Sequence, residues 1–328
     1  MRVSLSERLL EIEGLYVGYR TYRGTSKVLD GVQLSIDVGE KVGLIGESGC
    51  GKTTTMKAVL RILPANASIQ NGEIYFRGKE ILKMGKSELN ELRRMYVAMI
   101  FQDPTAALNP VFKVETQLVD VIKSSSGESE KTEGLKDKCI RLLKEVALSD
   151  PERVLDSYPF QLSGGMRQRI CIAMALATSK HLLIADEPTT NLDVTIQDQV
   201  MALIKDIVEN RKLSVILISH ALGAVRGFVD RVYTMYAGEI VEVAETDKLF
   251  LDPLHPYTKG LLESTPRLTG GGFSEGVGGR VPDYINPPLG CRFHPRCNYS
   301  FSICKEEKPP LLDIEENHSV ACWLYSKK

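Results

Sequence analysis

Uninterrupted apolar runs alternate with segments of helical period through most of the first 245 residues. KVGLIG (41–46), VAMIF (97–101), LLIAD (182–186) and SVILIS (214–219) are continuous apolar stretches of strand length, the pattern of strands buried on both faces of a parallel sheet. Between Thr195 and Arg211 the period changes. Val200, Leu203, Ile204 and Ile207 fall at i, i+3, i+4 and i+7 while Lys205, Asp206 and Glu209 lie opposite, which predicts a helix with one stripe packed on the sheet. Strands separated by helices predict a doubly wound α/β core. The polar stretch SSSGESEKTEGLKDK (124–138) reads as an exposed loop inside a mainly helical insertion.

After about Leu251 the pattern fades. Nine of the fifteen prolines lie beyond that point, and GGGFSEGVGGR (270–280) has the permissive backbone of a linker. The expected organisation is therefore a large domain over 1–250 followed by a small appendage over 251–328. The 328 residues are ample for two domains at roughly 150 residues each. Lys plus Arg is 41 against Asp plus Glu 42, a net charge of −1. No overall field then draws the chain to nucleic acid or anionic lipid, no nucleic-acid partner is expected, and any anion site must be local. No apolar run approaches the ~18 residues of a membrane span. The first residues lack the apolar centre of a secretory signal, so a cytoplasmic location is expected.

A local anion site is written at residues 46–53. Gly46-Glu47-Ser48-Gly49-Cys50-Gly51-Lys52-Thr53 is G-x-x-x-x-G-K-T, placed after an apolar strand and before a helical segment running from Thr54 to Leu63 with Pro64 as its stop. The loop's N–H groups and the helix N-terminus would cradle a β-phosphate. Lys52 would reach the β and γ phosphates, and the Thr53 hydroxyl would ligate Mg²⁺. LLIADEP (182–188) supplies two acids at a strand end: Asp186 to hold Mg²⁺ and Glu187, projecting farther, to polarise a water aimed at the γ-phosphate.

A third motif, LSGGMRQR (162–169), places Ser163, Gly164 and Gly165 at the start of another helix, a second anion-binding terminus that one nucleotide would not need. With this motif the sequence resembles the ATP-binding cassette family, whose signature is LSGGQ-like and whose subunits pair head to tail around two ATPs. The resemblance implies that Ser163, Gly164, Gly165 and Arg167 act on the partner's ATP. It likens Gln102 in MIFQDP to the Q-loop glutamine, which senses Mg²⁺ and nucleotide and contacts a permease. Asn191, Leu192 and Asp193 resemble the D-loop at the dimer seam, and His220 in LISHALG resembles the switch histidine at the γ-phosphate. Tyr19 and Tyr22 both stand as candidates to stack on adenine. The implied fold is a P-loop nucleotide-binding domain with an N-terminal antiparallel β subdomain, a helical subdomain over about 103–178 and the small Cys-rich appendage.

FQDPTAALNP, YPFQLSGGMRQRICIAMAL, HPYTKGLLESTPRL (255–268) and PPLGCRFHPRC (287–297) are similar to segments of the ATPase subunits of oligopeptide and dipeptide importers. The resemblance implies ATP hydrolysis at the cytoplasmic face of the cell membrane, a second cassette subunit that is a paralogue or another copy, two permease subunits and, indirectly, an extracytoplasmic solute-binding protein. Oligosaccharide or nickel cargo, or a soluble cassette ATPase without a transport role, are the alternatives. Phe160, Ala221 and Asn191 depart from residues common in the subgroup without removing a catalytic group.

Of seven cysteines, Cys291, Cys297, Cys304 and Cys322 lie together, with five, six and seventeen residues between successive members. Four thiolates suit Zn²⁺ or a [4Fe–4S] cluster. The wide spacing lacks the C-x₂₋₄-C pairing usual for zinc, and the importer resemblance implies iron–sulfur. His294 and His318 are possible substitutes in a zinc site.

Overall fold

The computed structural model describes residues 8–126, 134–178, 181–190, 192–264 and 277–326. They form two compact units, one from the chain up to Lys83 together with Leu217 onward, the other from Met84 to Ile216. The boundary expected at 251 from composition is not a boundary between these units.

In the first unit, β1 (Arg8–Thr21) and β2 (Gly24–Asp37) form a long antiparallel hairpin. β3 (Lys41–Ile45), α1 (Lys52–Val59), β4 (Ala67–Phe76) and β5 (Lys79–Glu80) follow. The strands β2, β1, β4 and β5 make an antiparallel sheet in that order. Leu10 and Ile12 are buried on β1, then Leu15 and Val17. The alternation changes phase around Gly14, where pairing to both neighbours slips, as a bulge requires if both halves are to face the core.

The helix expected over Thr54 to Leu63 starts and ends earlier. Arg61 adopts φ 51°, its N–H donates to Ala58 O at 3.0 Å, and the Ile62 N–H donates to Lys57 O at 2.9 Å. This Schellman closure satisfies the last carbonyls before Pro64 is reached.

The second unit holds α2 (Lys86–Glu91), β6 (Val97–Ile100), α3 (Pro104–Ala107), α4 (Val114–Ser126), α5 (Leu135–Glu145), α6 (Pro151–Asp156), α7 (Gly164–Thr178), β7 (Leu182–Asp186), α8 (Val194–Arg211) and β8 (Ser214–Ile218), the last carrying the chain back to the first unit. β6 and β7 run parallel, paired from Val97–Leu182 to Ile100–Ala185. β7 and β8 are buried at every position, matching their continuous apolar sequences. On α8, Val200, Ile204, Ile207 and Val208 are buried, Leu203 is half-buried, and Lys205, Asp206 and Glu209 are exposed. Of the polar stretch 124–138, both ends belong to α4 and α5 and residues 127–133 lie outside the described residues.

The first unit resumes with α9 (Leu222–Arg226), β9 (Arg231–Tyr236), β10 (Glu239–Glu245), α10 (Thr246–Leu251), α11 (Pro256–Glu263), α12 (Ser302–Glu306), β11 (Leu312–Glu315) and β12 (His318–Val320). Its strands run in the order β11, β12, β10, β9, β3, with β9 parallel to β3 and the rest antiparallel. The C-terminal region is thus less detached than its composition predicts, because it adds two strands to the sheet. Its apolar surface comes from aromatic rings instead of aliphatic runs. Tyr236, Tyr257 and Phe293 pack with ring centroids 4.6–5.5 Å apart, and His255 is buried beside them, burial holding its imidazole neutral with a pKa pushed down to about 3. Residues 270–276 of the expected linker lie outside the described residues. No described helix is long and apolar enough to cross a membrane.

Candidate active site

The glycine loop leaves β3 after Ile45 and enters α1 at Lys52. Gly46 sits at φ 150°, where a Cβ would stand 2.1 Å from Met235 O; Gly51 sits at φ 113°, where one would stand 2.6 Å from Leu29 Cδ2. Neither position admits a side chain, so the loop's backbone lies flat against its surroundings. Ser48 and Gly49 form its exposed rim, while Thr53 and Thr54 are half-buried in the first turn of α1. Lys52 is buried, its Nζ donating to Gly46 O at 2.8 Å and Glu47 O at 2.9 Å. Cys50 is also buried, and burial raises its thiol pKa, so it fills space as a neutral thiol. The N-terminus of α1 and the Lys52 ammonium thus lie together at this loop.

The two aromatic candidates separate. Tyr19 OH lies 3.2 Å from Thr54 Oγ1, at the start of α1, whereas Tyr22 is 98% exposed at the hairpin turn. His220 is exposed just after β8, and the next residue's N–H donates to Ser219 Oγ at 3.0 Å.

In the second unit, the parallel register of β6 and β7 delivers Gln102 and the two acids to the same strand ends. Asp186 is buried at the end of β7. Glu187 leaves the strand at φ 45°, an uncommon conformation for a residue with a Cβ. Its Oε2 accepts from Gln102 Nε2 at 2.8 Å and from Thr190 Oγ1 at 3.0 Å. Sequence reasoning missed Thr190, because a threonine three residues beyond an acid carries no signal until the turn folds.

Ser163 immediately precedes α7 and is exposed; its Oγ accepts from the Met166 N–H at 3.3 Å, as an N-cap does. Cβ atoms on Gly164 and Gly165 would lie 3.4 Å from Leu192 Cδ2 and 3.0 Å from Ile196 Cγ2, so the signature glycines abut the 192–196 segment. Asp193 caps α8 by accepting from the Ile196 N–H at 3.1 Å. Among the described residues, Arg167 Nε is buried without a hydrogen-bond partner. Asn191, the first residue of the expected D-loop, lies outside the described residues. Tyr257, Tyr284 and Arg296 reach the glycine loop from the C-terminal region, and nothing in their spacing flags them.

The four C-terminal cysteines are all free thiols, Cys304 and Cys322 buried and the others half-buried. Burial pushes Cys291 up to about 12 and Cys322 up to about 11, and each also feels charge on other members of the four. The Cys291 N–H donates to Cys304 O at 2.9 Å. Among the described residues no three His, Cys, Asp or Glu side chains stand as a metal-ligand set. His318 is committed elsewhere, its Nε2 2.8 Å from Glu242 Oε1, and His294 Nδ1 lies 2.9 Å from Cys291 O.

This P-loop fold, with its antiparallel sheet and its glycine and acid motifs, defines an ATP-binding cassette. The family model described as ABC transporter matches residues 29–190, and that described as oligopeptide/dipeptide transporter, C-terminal region, matches 241–304. The chain is 42% identical over 320 residues to the oligopeptide transport ATP-binding protein OppD of Bacillus subtilis, covering 97% of this chain and 89% of that one. With the dipeptide transport ATP-binding protein DppD of the same organism it shares 41% over 324 residues, covering 98% and 96%. The solved dimer of the ATP-binding cassette MJ0796 bound to ADP and Pi superposes with a TM-score of 0.64 at 26% identity, covering 73% of this chain and 99% of that one. The chain belongs to the ABC transporter ATPases, in the group of oligopeptide/dipeptide transport ATP-binding proteins, and is an ATPase.

Proposed function

We propose that this ATPase powers uptake of oligopeptides or dipeptides through separate permease subunits, as a peripheral subunit on the cytoplasmic face of the membrane. The observation that carries the reading is the union in one chain of the cassette over 29–190 with the peptide-transporter C-terminal region over 241–304. In this reading the glycine loop over residues 46–53 and Lys52 hold the β and γ phosphates, and Tyr19 supplies the face beside adenine. Thr53, Gln102 and Asp186 hold Mg²⁺, which neutralises phosphate charge when bound. Glu187, oriented by Gln102 and Thr190, takes the proton of the attacking water, and His220 contacts the γ-phosphate. Ser163, Gly164, Gly165 and Arg167 complete the nucleotide site of a second cassette subunit, with Asn191, Leu192 and Asp193 at the seam; that subunit is a paralogue or another copy. Two permeases and an extracytoplasmic solute-binding protein make up the rest of the transporter. Cells lacking the chain are expected to lose uptake of a labelled tripeptide, to regain it with the wild-type gene, and to stay deficient with Lys52→Ala. Undiminished uptake in the deletion strain would overturn the cargo assignment.

We also propose that Cys291, Cys297, Cys304 and Cys322 hold a structural [4Fe–4S] cluster, or Zn²⁺ in its place. The reading rests on four free thiols in one C-terminal region with few aliphatic residues. Protein purified without oxygen is expected to carry about four irons and matching sulfide per chain, lost on Cys297→Ser. Stoichiometric zinc without iron would select the zinc form, and the absence of both metals would overturn the site.

A further inference from the structure

The second position of the glycine loop is held by side chains from far along the chain. The guanidinium of Arg296 grips the Glu47 carboxylate with both nitrogens, Nη1 to Oε2 at 2.7 Å and Nη2 to Oε1 at 3.0 Å. Arg296 is itself fixed: its side chain is 4% exposed, Nε donates to Gly278 O and Nη2 to Val277 O, both at 2.7 Å, and the group lies over the Tyr236 ring, 5.6 Å from its centroid. The Glu47 N–H donates to Tyr257 Oη at 2.8 Å, and Tyr284 Oη donates to Gly49 O at 2.9 Å. The motif leaves residues 47 and 49 unspecified, so nothing in it calls for these contacts.

We infer that the C-terminal region sets the phosphate-binding loop of its own chain, with Arg296 as the positioning residue and Tyr257 and Tyr284 beside it; this rests on reading residues 46–53 as the ATP phosphate site. Two physical consequences follow from the clamp. A loop pinned before nucleotide arrives has less freedom to lose on binding, so affinity rises without any added contact to the ligand. The clamp also neutralises a carboxylate standing in a loop built to receive phosphate, where an unpaired negative charge would repel the incoming anion. The buried fork and its stacking make lysine an incomplete replacement. Because Arg296 directly precedes Cys297, a rearrangement of the cysteine region has one peptide bond to cross before it reaches the clamp.

The test uses the full-length chain, with equilibrium binding of a fluorescent ATP analogue, the KM and kcat for ATP, and the melting temperature. Arg296→Ala is expected to raise KM and the dissociation constant by about tenfold while kcat at saturation stays within about twofold, and Arg296→Lys by about threefold. Adding Glu47→Gln to Arg296→Ala should recover part of the affinity, because the unpaired charge is then gone while the loop stays unpinned; a role confined to stability predicts no recovery. Arg231→Ala breaks the pair to Glu40 at 2.8 Å, at the opposite end of β3 from the loop, and should lower the melting temperature without moving KM. An unchanged KM in Arg296→Ala, the absence of rescue, or an equal KM rise in Arg231→Ala would overturn the inference. Lys52→Ala separates the two levels: if it leaves nucleotide binding intact, the assignment of the loop fails, whereas loss in Lys52→Ala with none in Arg296→Ala sinks the clamp alone.

Discussion

Glu187→Gln is expected to lower ATP turnover by about 10²-fold or more while ATP affinity stays within about threefold. The side chain does not reach its place by strand geometry alone. It turns out of β7 at φ 45° and is aimed by two donors on one oxygen, Gln102 Nε2 at 2.8 Å and Thr190 Oγ1 at 3.0 Å. Glutamine preserves the shape and still offers a carbonyl to those donors, but its amide cannot take a proton. The loss should therefore appear in kcat, with bound nucleotide persisting and the ATP-loaded dimer accumulating. Steady-state turnover of the assembled transporter, set beside equilibrium ATP binding, checks this. Turnover near the wild-type value would remove Glu187 from the role of base.

What the sequence disclosed and what it hid divide along physical lines. β3, β6, β7 and β8 were legible because strands buried on both faces need apolar residues at every position, and α8 because a half-buried helix repeats its apolar side every 3.6 residues. β10 was not. Glu239 and Glu242 interrupt its apolar pattern, yet both are buried. Glu242 is satisfied by the backbone N–H groups of Leu254 and His255 and by His318, while burial pushes Glu239 up to about 7 with Lys308 and Arg292 nearby to offset it. Those partners come from the C-terminal region, so the strand's polar positions make sense only after the tertiary fold is assembled. The same holds at the site. G-x-x-x-x-G-K-T is visible as a motif, whereas Thr190 meets Glu187 and Arg296 meets Glu47 only once the chain is folded. Tyr19 and Tyr22 look alike in the sequence, and only the place where the hairpin ends sets one beside Thr54 and leaves the other exposed.

The glycines of the loop are expected to differ sharply in what they tolerate, and Gly46→Ala is the severe case. At φ 150° the added Cβ would lie 2.1 Å from Met235 O and 2.9 Å from Cys50 Sγ. The carbonyl cannot yield, because Met235 belongs to β9, which pairs with β3 up to Ile45–Thr234. Relief must come from the loop, whose Gly46 carbonyl also receives Lys52 Nζ at 2.8 Å, so displacing the backbone displaces Lys52 as well. ATP affinity is expected to fall by about 10²-fold or more, equivalent to about 2.7 kcal/mol or more. Gly49→Ala offers the comparison. Its φ is 78°, but a Cβ there meets nothing within 4 Å, leaving only the cost of a left-handed alanine, about 1–2 kcal/mol, which should weaken ATP binding by no more than about thirtyfold. Circular dichroism of both variants establishes whether the sheet is retained, and ATP titration then compares them. Equal affinities in Gly46→Ala and Gly49→Ala would mean that the approach of β9 to the loop does not control the phosphate site.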